Sequence, residues 1–135
     1  MDHSAPAGKH ILIVDDSVEY LNFMQLLLGA EGFRAEIAPS TDVMRECLGR
    51  NRPDLIISDV RMPGDSAFAV LDILRADERS RGIPVLLCTG AVQEVEEQSG
   101  RLKREGVDVL FKPFDIEVLL ERVSRICDAQ SLAQG

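Results

Sequence analysis

Five polar residues stand where the sequence otherwise turns from apolar to loop: the adjacent pair Asp15-Asp16, then Asp59, Thr89 and Lys112. Carboxylates brought close together repel and are driven to protonate unless a cation joins them. A hard divalent cation held by one or two carboxylates plus phosphate oxygens is the usual way Mg²⁺ binds. Asp16, with Asp15 direct or through water, is the expected metal-binding pair. An aspartate helix cap accounts for one of two neighbouring aspartates but not for both. Asp59 admits three roles: a turn residue starting a loop, a further metal ligand, or a nucleophile toward phosphorus that becomes an aspartyl-phosphate. The last needs charge neutralisation and in-line positioning more than it needs a base. Mg²⁺ and Lys112 would neutralise phosphoryl oxygens, and the Thr89 hydroxyl would donate to one. A lysine that closes an apolar strand needs anionic partners nearby. A cis Lys112-Pro113 bond would aim it back over the strand ends, although X-Pro bonds are trans by default.

Each of these residues ends an apolar run. His10–Val14 leads into Asp15-Asp16-Ser17, Leu55–Ser58 into Asp59, Ile83–Cys88 into Thr89-Gly90, and Val107–Phe111 into Lys112-Pro113. Such runs read as strands buried on both faces. Phe33–Ala38 alternates Phe33, Ala35 and Ile37 with other residues and suits a sheet edge. Helical faces fall between the strands. Leu21, Met24, Leu27 and Leu28 precede Gly29; Val43, Met44, Cys47 and Leu48 follow Pro39-Ser40-Thr41. Phe68, Val70, Leu71 and Leu74 mark a third helix running to Gly82, and Val92, Val95, Gln98 and Leu102 a thin fourth one. Gly100 inside that fourth helix costs about 1 kcal/mol relative to alanine, so it is expected to be the loosest. Ile116, Leu119, Leu120, Val123 and Ile126 line a last helix over Phe114–Cys127. Five strands alternating with five helices predict an α/β three-layer sandwich around a parallel sheet. Right-handed crossovers and a weak second strand give the flavodoxin-like (βα)5 order 2-1-3-4-5. In that order the polar ends of strands one, three, four and five share the edge where ligands bind.

With 135 residues, 45% of them hydrophobic and 28% charged, the chain suits one domain with a packed core. The expected domain covers residues 10–127, with 1–9 a disordered tail and 128–135 a tail or the start of a linker. The formal net charge of -8 argues against direct nucleic-acid binding and against an anionic membrane surface. No stretch approaches a membrane span, and the first residues lack the apolar core of a signal peptide. Cys47, Cys88 and Cys127 are widely spaced and odd in number, so they read as reduced thiols of a cytoplasmic protein.

Taken together, Ile-Val-Asp-Asp-Ser at Ile13–Ser17, Ser-Asp-Val-Arg-Met-Pro-Gly at Ser58–Gly64, Thr89 and Lys-Pro-Phe at Lys112–Phe114 resemble a known family. From about His10 to Cys127 the sequence looks like a receiver domain of bacterial two-component response regulators, of the chemotaxis-receiver kind. The resemblance implies that Asp59 is a phosphoacceptor, charged by a sensor histidine kinase or a histidine phosphotransfer protein. It implies Mg²⁺ held by Asp15, Asp16, Asp59 and the backbone carbonyl of Arg61, with Thr89 and Lys112 on the phosphoryl group. It implies a signalling switch and not a turnover enzyme, with an output partner that the sequence does not identify. By analogy a homodimer would form through the fourth-helix, fifth-strand and fifth-helix surface.

Three positions depart from the family pattern. Val109 stands where the family often has an aromatic switch residue, so a ring rotation coupled to Thr89 is not available in its usual form. Ala67 replaces a glycine and requires an unstrained backbone there. Arg61 and Ala91 flank the phosphoryl position; Arg61 has two candidate partners, the phosphoryl group or an acid on the fourth helix, and otherwise reads as a solvated loop arginine. Arg61 also weighs against a phosphatase of the haloacid-dehalogenase type, which places an acid/base aspartate two residues after its nucleophile. A docking module that works without phosphorylation is the other alternative. A stand-alone receiver and a fragment of a larger regulator or hybrid kinase both fit the sequence.

Overall fold

A computed structural model describes residues 8–134 of the chain. Five strands form one parallel sheet: β1 (His10–Val14), β2 (Arg34–Ala38), β3 (Leu55–Ser58), β4 (Val85–Thr89) and β5 (Asp108–Phe111). Their order is β2-β1-β3-β4-β5, as expected. Ile11, Leu12, Ile13 and Val14 of β1 lie opposite Leu55, Ile56, Ile57 and Ser58 of β3, so these two strands end together. That register places Asp15 and Asp59 as the next residue on each.

The reason for near-continuous apolar strands is visible in the two cores. Leu12, Val14, Ile56, Val85 and Leu87 face one layer of helices, and Ile11, Ile13, Leu55, Ile57, Leu86 and Cys88 face the other. Successive side chains of a strand point to opposite faces, so a sheet covered on both sides needs apolar residues at every position. The helices α1 (Val18–Ala30) and α6 (Ile116–Gln134) cover one face; α2 (Thr41–Arg50), α3 (Ala69–Ala76), α4 (Val92–Glu97) and α5 (Ser99–Arg104) cover the other. Ser17 and Ser40 cap α1 and α2, each accepting a backbone N–H three residues on at 3.2 Å.

Three elements differ from the sequence reading. The fourth helix is two short ones, α4 and α5, broken at Gln98 and not loosened at Gly100. Only Val95 and Leu102 of this stretch are buried, too few to hold a continuous helix against the sheet. Helix α3 stops at Ala76, well before Gly82, because polar side chains there bond the backbone instead. The Ser80 hydroxyl donates to the Leu74 carbonyl at 2.7 Å, and Asp77 Oδ1 accepts the Arg79 N–H at 2.9 Å. Helix α6 continues past Cys127 to Gln134, since no glycine or proline interrupts the stretch before Gly135. Of the expected N-terminal tail, residues 1–7 lie outside the described residues. The Lys9 carbonyl accepts the Arg34 N–H at 2.9 Å, so chain pairing begins ahead of His10.

Leu12 is fully buried in the middle of β1. Leu12→Ala is expected to lower unfolding free energy by about 2–5 kcal/mol in urea denaturation, the range for a truncated core leucine. A loss below about 1 kcal/mol would contradict the packing described.

Candidate functional site

The edge at the C-terminal ends of the strands collects the charged residues. Asp15 is buried and Asp16 beside it exposed, because Asp15 continues the strand and Asp16 begins the loop to α1. The Asp15 N–H donates to the Ala38 carbonyl at 3.1 Å, and Asp15 Oδ1 accepts the Ser17 N–H at 2.9 Å. Backbone bonds on both sides thus orient this carboxylate. Its other oxygen, Oδ2, accepts from Lys112 Nζ at 3.2 Å.

Asp59 is partly buried at the end of β3. Its Oδ1 accepts the Thr89 hydroxyl at 2.6 Å and the Arg61 N–H at 3.3 Å. Its Oδ2 accepts from Lys112 Nζ at 3.2 Å. Thr89 Oγ1 in turn accepts the Ala91 N–H at 3.1 Å, which points the hydroxyl proton at Asp59. Lys112 reaches across from β5, whose backbone is tied to β4 by the Lys112 N–H donating to the Thr89 carbonyl at 2.9 Å. The Lys112-Pro113 bond is cis. The Lys112 ammonium also stands over the ring of Tyr20 on α1, 4.3 Å from its centroid. Burial acts to lower the Lys112 pKa, but the Asp15 and Asp59 carboxylates outweigh it and hold it above the ordinary lysine value.

Four of the five residues singled out in the sequence therefore meet: Asp15, Asp59, Thr89 and Lys112. Asp16 stands at the exposed rim. Among the described residues no three His, Cys, Asp or Glu side chains are grouped as a metal site. Lys112 stands between Asp15 and Asp59 and takes an oxygen from each. The carboxylates gathered at this edge are the hard oxygen donors that Mg²⁺ prefers.

The loop from Asp59 to α3 frames the site. Ala67 has an ordinary backbone; the left-handed residue is the next one, Phe68, with φ of 65°. Phe68 is buried in the core on the α2–α3 side, which holds this unfavourable backbone in place. Arg61 turns to the rim and meets Glu94 on α4, its Nε 2.7 Å and a terminal nitrogen 2.6 Å from Glu94 Oε2. Of the two partners considered for Arg61, the structure pairs it with the acid on the fourth helix. Val109 is half-buried against the same core, without a ring to turn. Sequence reasoning assigned no role to Glu94 or Tyr20. Glu94 was hidden among neighbouring acids on a weak helix. Tyr20 carried one signal, a single tyrosine three residues after the helix-capping serine.

The chain matches the family model described as "Response regulator receiver domain" over residues 11–124. It is 36% identical over 113 residues to a probable cyclic di-GMP phosphodiesterase of Vibrio cholerae, covering 84% of this chain and 25% of that protein. It is 33% identical over 113 residues to the DNA-binding dual master transcriptional regulator RpaA of Synechocystis, covering 84% of this chain and 46% of that one. The chain thus spans less than half the length of these curated relatives. Among solved structures, the chemotaxis response regulator CheY4 of Vibrio cholerae superposes with a TM-score of 0.77 at 29% identity, covering 89% of this chain and 99% of that one. The signal receiver domain of a histidine kinase from Syntrophus aciditrophicus gives 0.77 at 31% identity, over 90% and 92%.

The Arg61 guanidinium holds the Glu94 carboxyl below the ordinary glutamate value, chiefly through their hydrogen bond. Arg61→Ala is therefore expected to raise the Glu94 pKa, read from the side-chain carboxyl ¹³C shift in an NMR titration. The pair's contribution to folding is present above the ordinary glutamate pKa and fades as pH falls through the lowered one. An unchanged Glu94 titration in the variant would show that the pair does not form in solution.

Proposed function

The chain belongs to the response regulator receiver domain family of two-component signalling, and from that premise we propose that Asp59 is its phosphoacceptor. The single observation that carries this assignment is the convergence on Asp59 of a hydroxyl and an ammonium: Thr89 at 2.6 Å on one oxygen and Lys112 at 3.2 Å on the other. Both are donors suited to a phosphoryl group that arrives at the same atoms. As the donor's bond to phosphorus breaks, a bond forms from an Asp59 oxygen, and the donor leaves with the electron pair. The negative charge spread over the phosphoryl oxygens then meets Thr89 and Lys112, which follow it outward. Asp15, Asp16, Asp59 and the Arg61 carbonyl would hold Mg²⁺, which when bound neutralises charge on the phosphoryl oxygens. Lys112 must then release the carboxylate oxygens that it now occupies.

Receiver domains take their phosphoryl group from histidine kinases or histidine phosphotransfer proteins, and one of these is the proposed donor. The proposed output is a shift in the population of two conformations that a partner distinguishes. With valine at 109, the side chain on hand to report events at Asp59 to the fourth helix is Arg61. The homodimer reading through α4, β5 and α6 draws support from Val92, Phe111, Ile116 and Val118, which are exposed on these elements.

Incubation with acetyl phosphate and Mg²⁺ is expected to give a phosphoryl adduct by intact mass, absent without Mg²⁺ and absent in Asp59→Asn. No adduct on folded protein would leave a phosphorylation-independent docking module. Because the Arg61 side chain stands at the rim of the site, tied to Glu94, Arg61→Ala is expected to shorten the half-life of the phosphorylated form by roughly threefold. An unchanged half-life would remove Arg61 from the control of hydrolysis.

A further inference from the structure

Lys112 is held on three sides, and only two of the contacts are carboxylates. The third is the face of Tyr20, with Nζ 4.3 Å from the ring centroid. A closed circuit of contacts sets this ring. Asp15 Oδ1 accepts the Ser17 N–H at 2.9 Å, and Ser17 Oγ accepts the Tyr20 N–H at 3.2 Å. The Tyr20 ring lies under Lys112, and Lys112 donates back to Asp15 Oδ2 at 3.2 Å. The serine that caps α1 thus also places the backbone from which the Tyr20 ring projects. The Tyr20 hydroxyl is buried with no hydrogen-bond partner among the described residues. The Cys88 thiol beside it is a weak acceptor. Burial, followed by the negative charge nearby, keeps this phenol protonated. The ring face is therefore the part of Tyr20 that the site uses.

We propose that Tyr20 is a positioning residue for Lys112, holding the ammonium in place while its carboxylate partners are withdrawn. This rests on the reading of Asp59 as phosphoacceptor. On that reading the Asp15 and Asp59 oxygens are claimed by a divalent cation and by phosphorus. Lys112 then loses both carboxylate contacts at the step in which it must meet a phosphoryl oxygen. A lysine has a long, flexible stem, and without a third contact it would be free to swing into solvent. An aromatic face attracts the ammonium through its quadrupole. It adds no net negative charge to a pocket that has to admit a phosphoryl dianion, which a third carboxylate would do. An aliphatic side chain of similar size would fill the space without the attraction.

The test uses Tyr20→Phe and Tyr20→Leu, each alone and combined with Lys112→Ala. The first readout is the initial rate of adduct formation from acetyl phosphate in Mg²⁺, followed by intact mass. The second is the NMR shift of the Lys112 ε-methylene protons, which a ring face beneath them moves upfield. Tyr20→Phe is expected to react within about twofold of the wild type and to keep the upfield shift. Tyr20→Leu is expected to react about fivefold more slowly and to lose it. In the Lys112→Ala background, Tyr20→Leu should cost nothing further. The proposal fails if folded Tyr20→Leu reacts at the wild-type rate, if Tyr20→Phe is as slow as Tyr20→Leu, or if the loss is the same in both backgrounds. A wild type that forms no adduct would count against the Asp59 reading instead. The ring-induced shift, which needs no phosphorylation, would then refute the Tyr20–Lys112 contact by its absence, and with it the proposal.

Discussion

The site depends on one charge: the Lys112 ammonium set between Asp15 and Asp59, 3.2 Å from each. Two carboxylates brought together at the edge of an apolar sheet repel each other, and a cation set between them offsets that repulsion. The sheet order decides where that cation comes from. Strands β1 and β3 are neighbours and bring the aspartates together, while β5 lies beyond β4. From β5 it is two strand spacings to β3, about 10 Å, and three to β1, about 14 Å, so only a long side chain entering from β5 can reach both aspartates. Lysine is long enough, and its charge is retained because the carboxylates offset the cost of its partial burial. The two cores, the parallel register and the cis Lys112-Pro113 bond all surround this arrangement.

A lysine placed this way is also a competitor. It occupies oxygens that a divalent cation would need, so the described arrangement and a metal-loaded one differ in what Lys112 contacts. A group that must change partners needs somewhere constant to stand, and the Tyr20 ring is such a place. Arg61 presents the same logic at the rim. Its guanidinium is committed to Glu94 on α4, outside the circle of groups that touch Asp59 directly. Yet its N–H lies 3.3 Å from Asp59 Oδ1, so the backbone at 61 senses the site while the side chain holds the fourth helix.

The short helices α4 and α5 stand on the other side of that ion pair. With few buried residues and a break at Gln98, they are the part of the fold best able to respond to a change at Arg61. The half-buried Val109 offers no bulky lever of its own. Transmission in this chain is thus expected to run through charge at the surface, where it is open to screening by salt.

The amino-acid sequence by itself determined the five strands, their order, and the meeting of Asp15, Asp59, Thr89 and Lys112. It could do so because burial of strands on both faces leaves a continuous apolar signature, and because the polar residue that ends each run marks the sheet edge. The family motifs are local strings and were legible for the same reason. Only the tertiary structure decided the partner of Arg61, the ring beneath Lys112, the early end of α3 and the break between α4 and α5. Glu94 and Arg61 are 33 residues apart, and Asp15 and Lys112 are 97 apart. No local pattern encodes which of several acids a distant arginine reaches, or which aromatic a lysine will rest on. Those choices follow from where the folded backbone sets each side chain, and helix ends that bury little yield to whichever local hydrogen bonds compete for them.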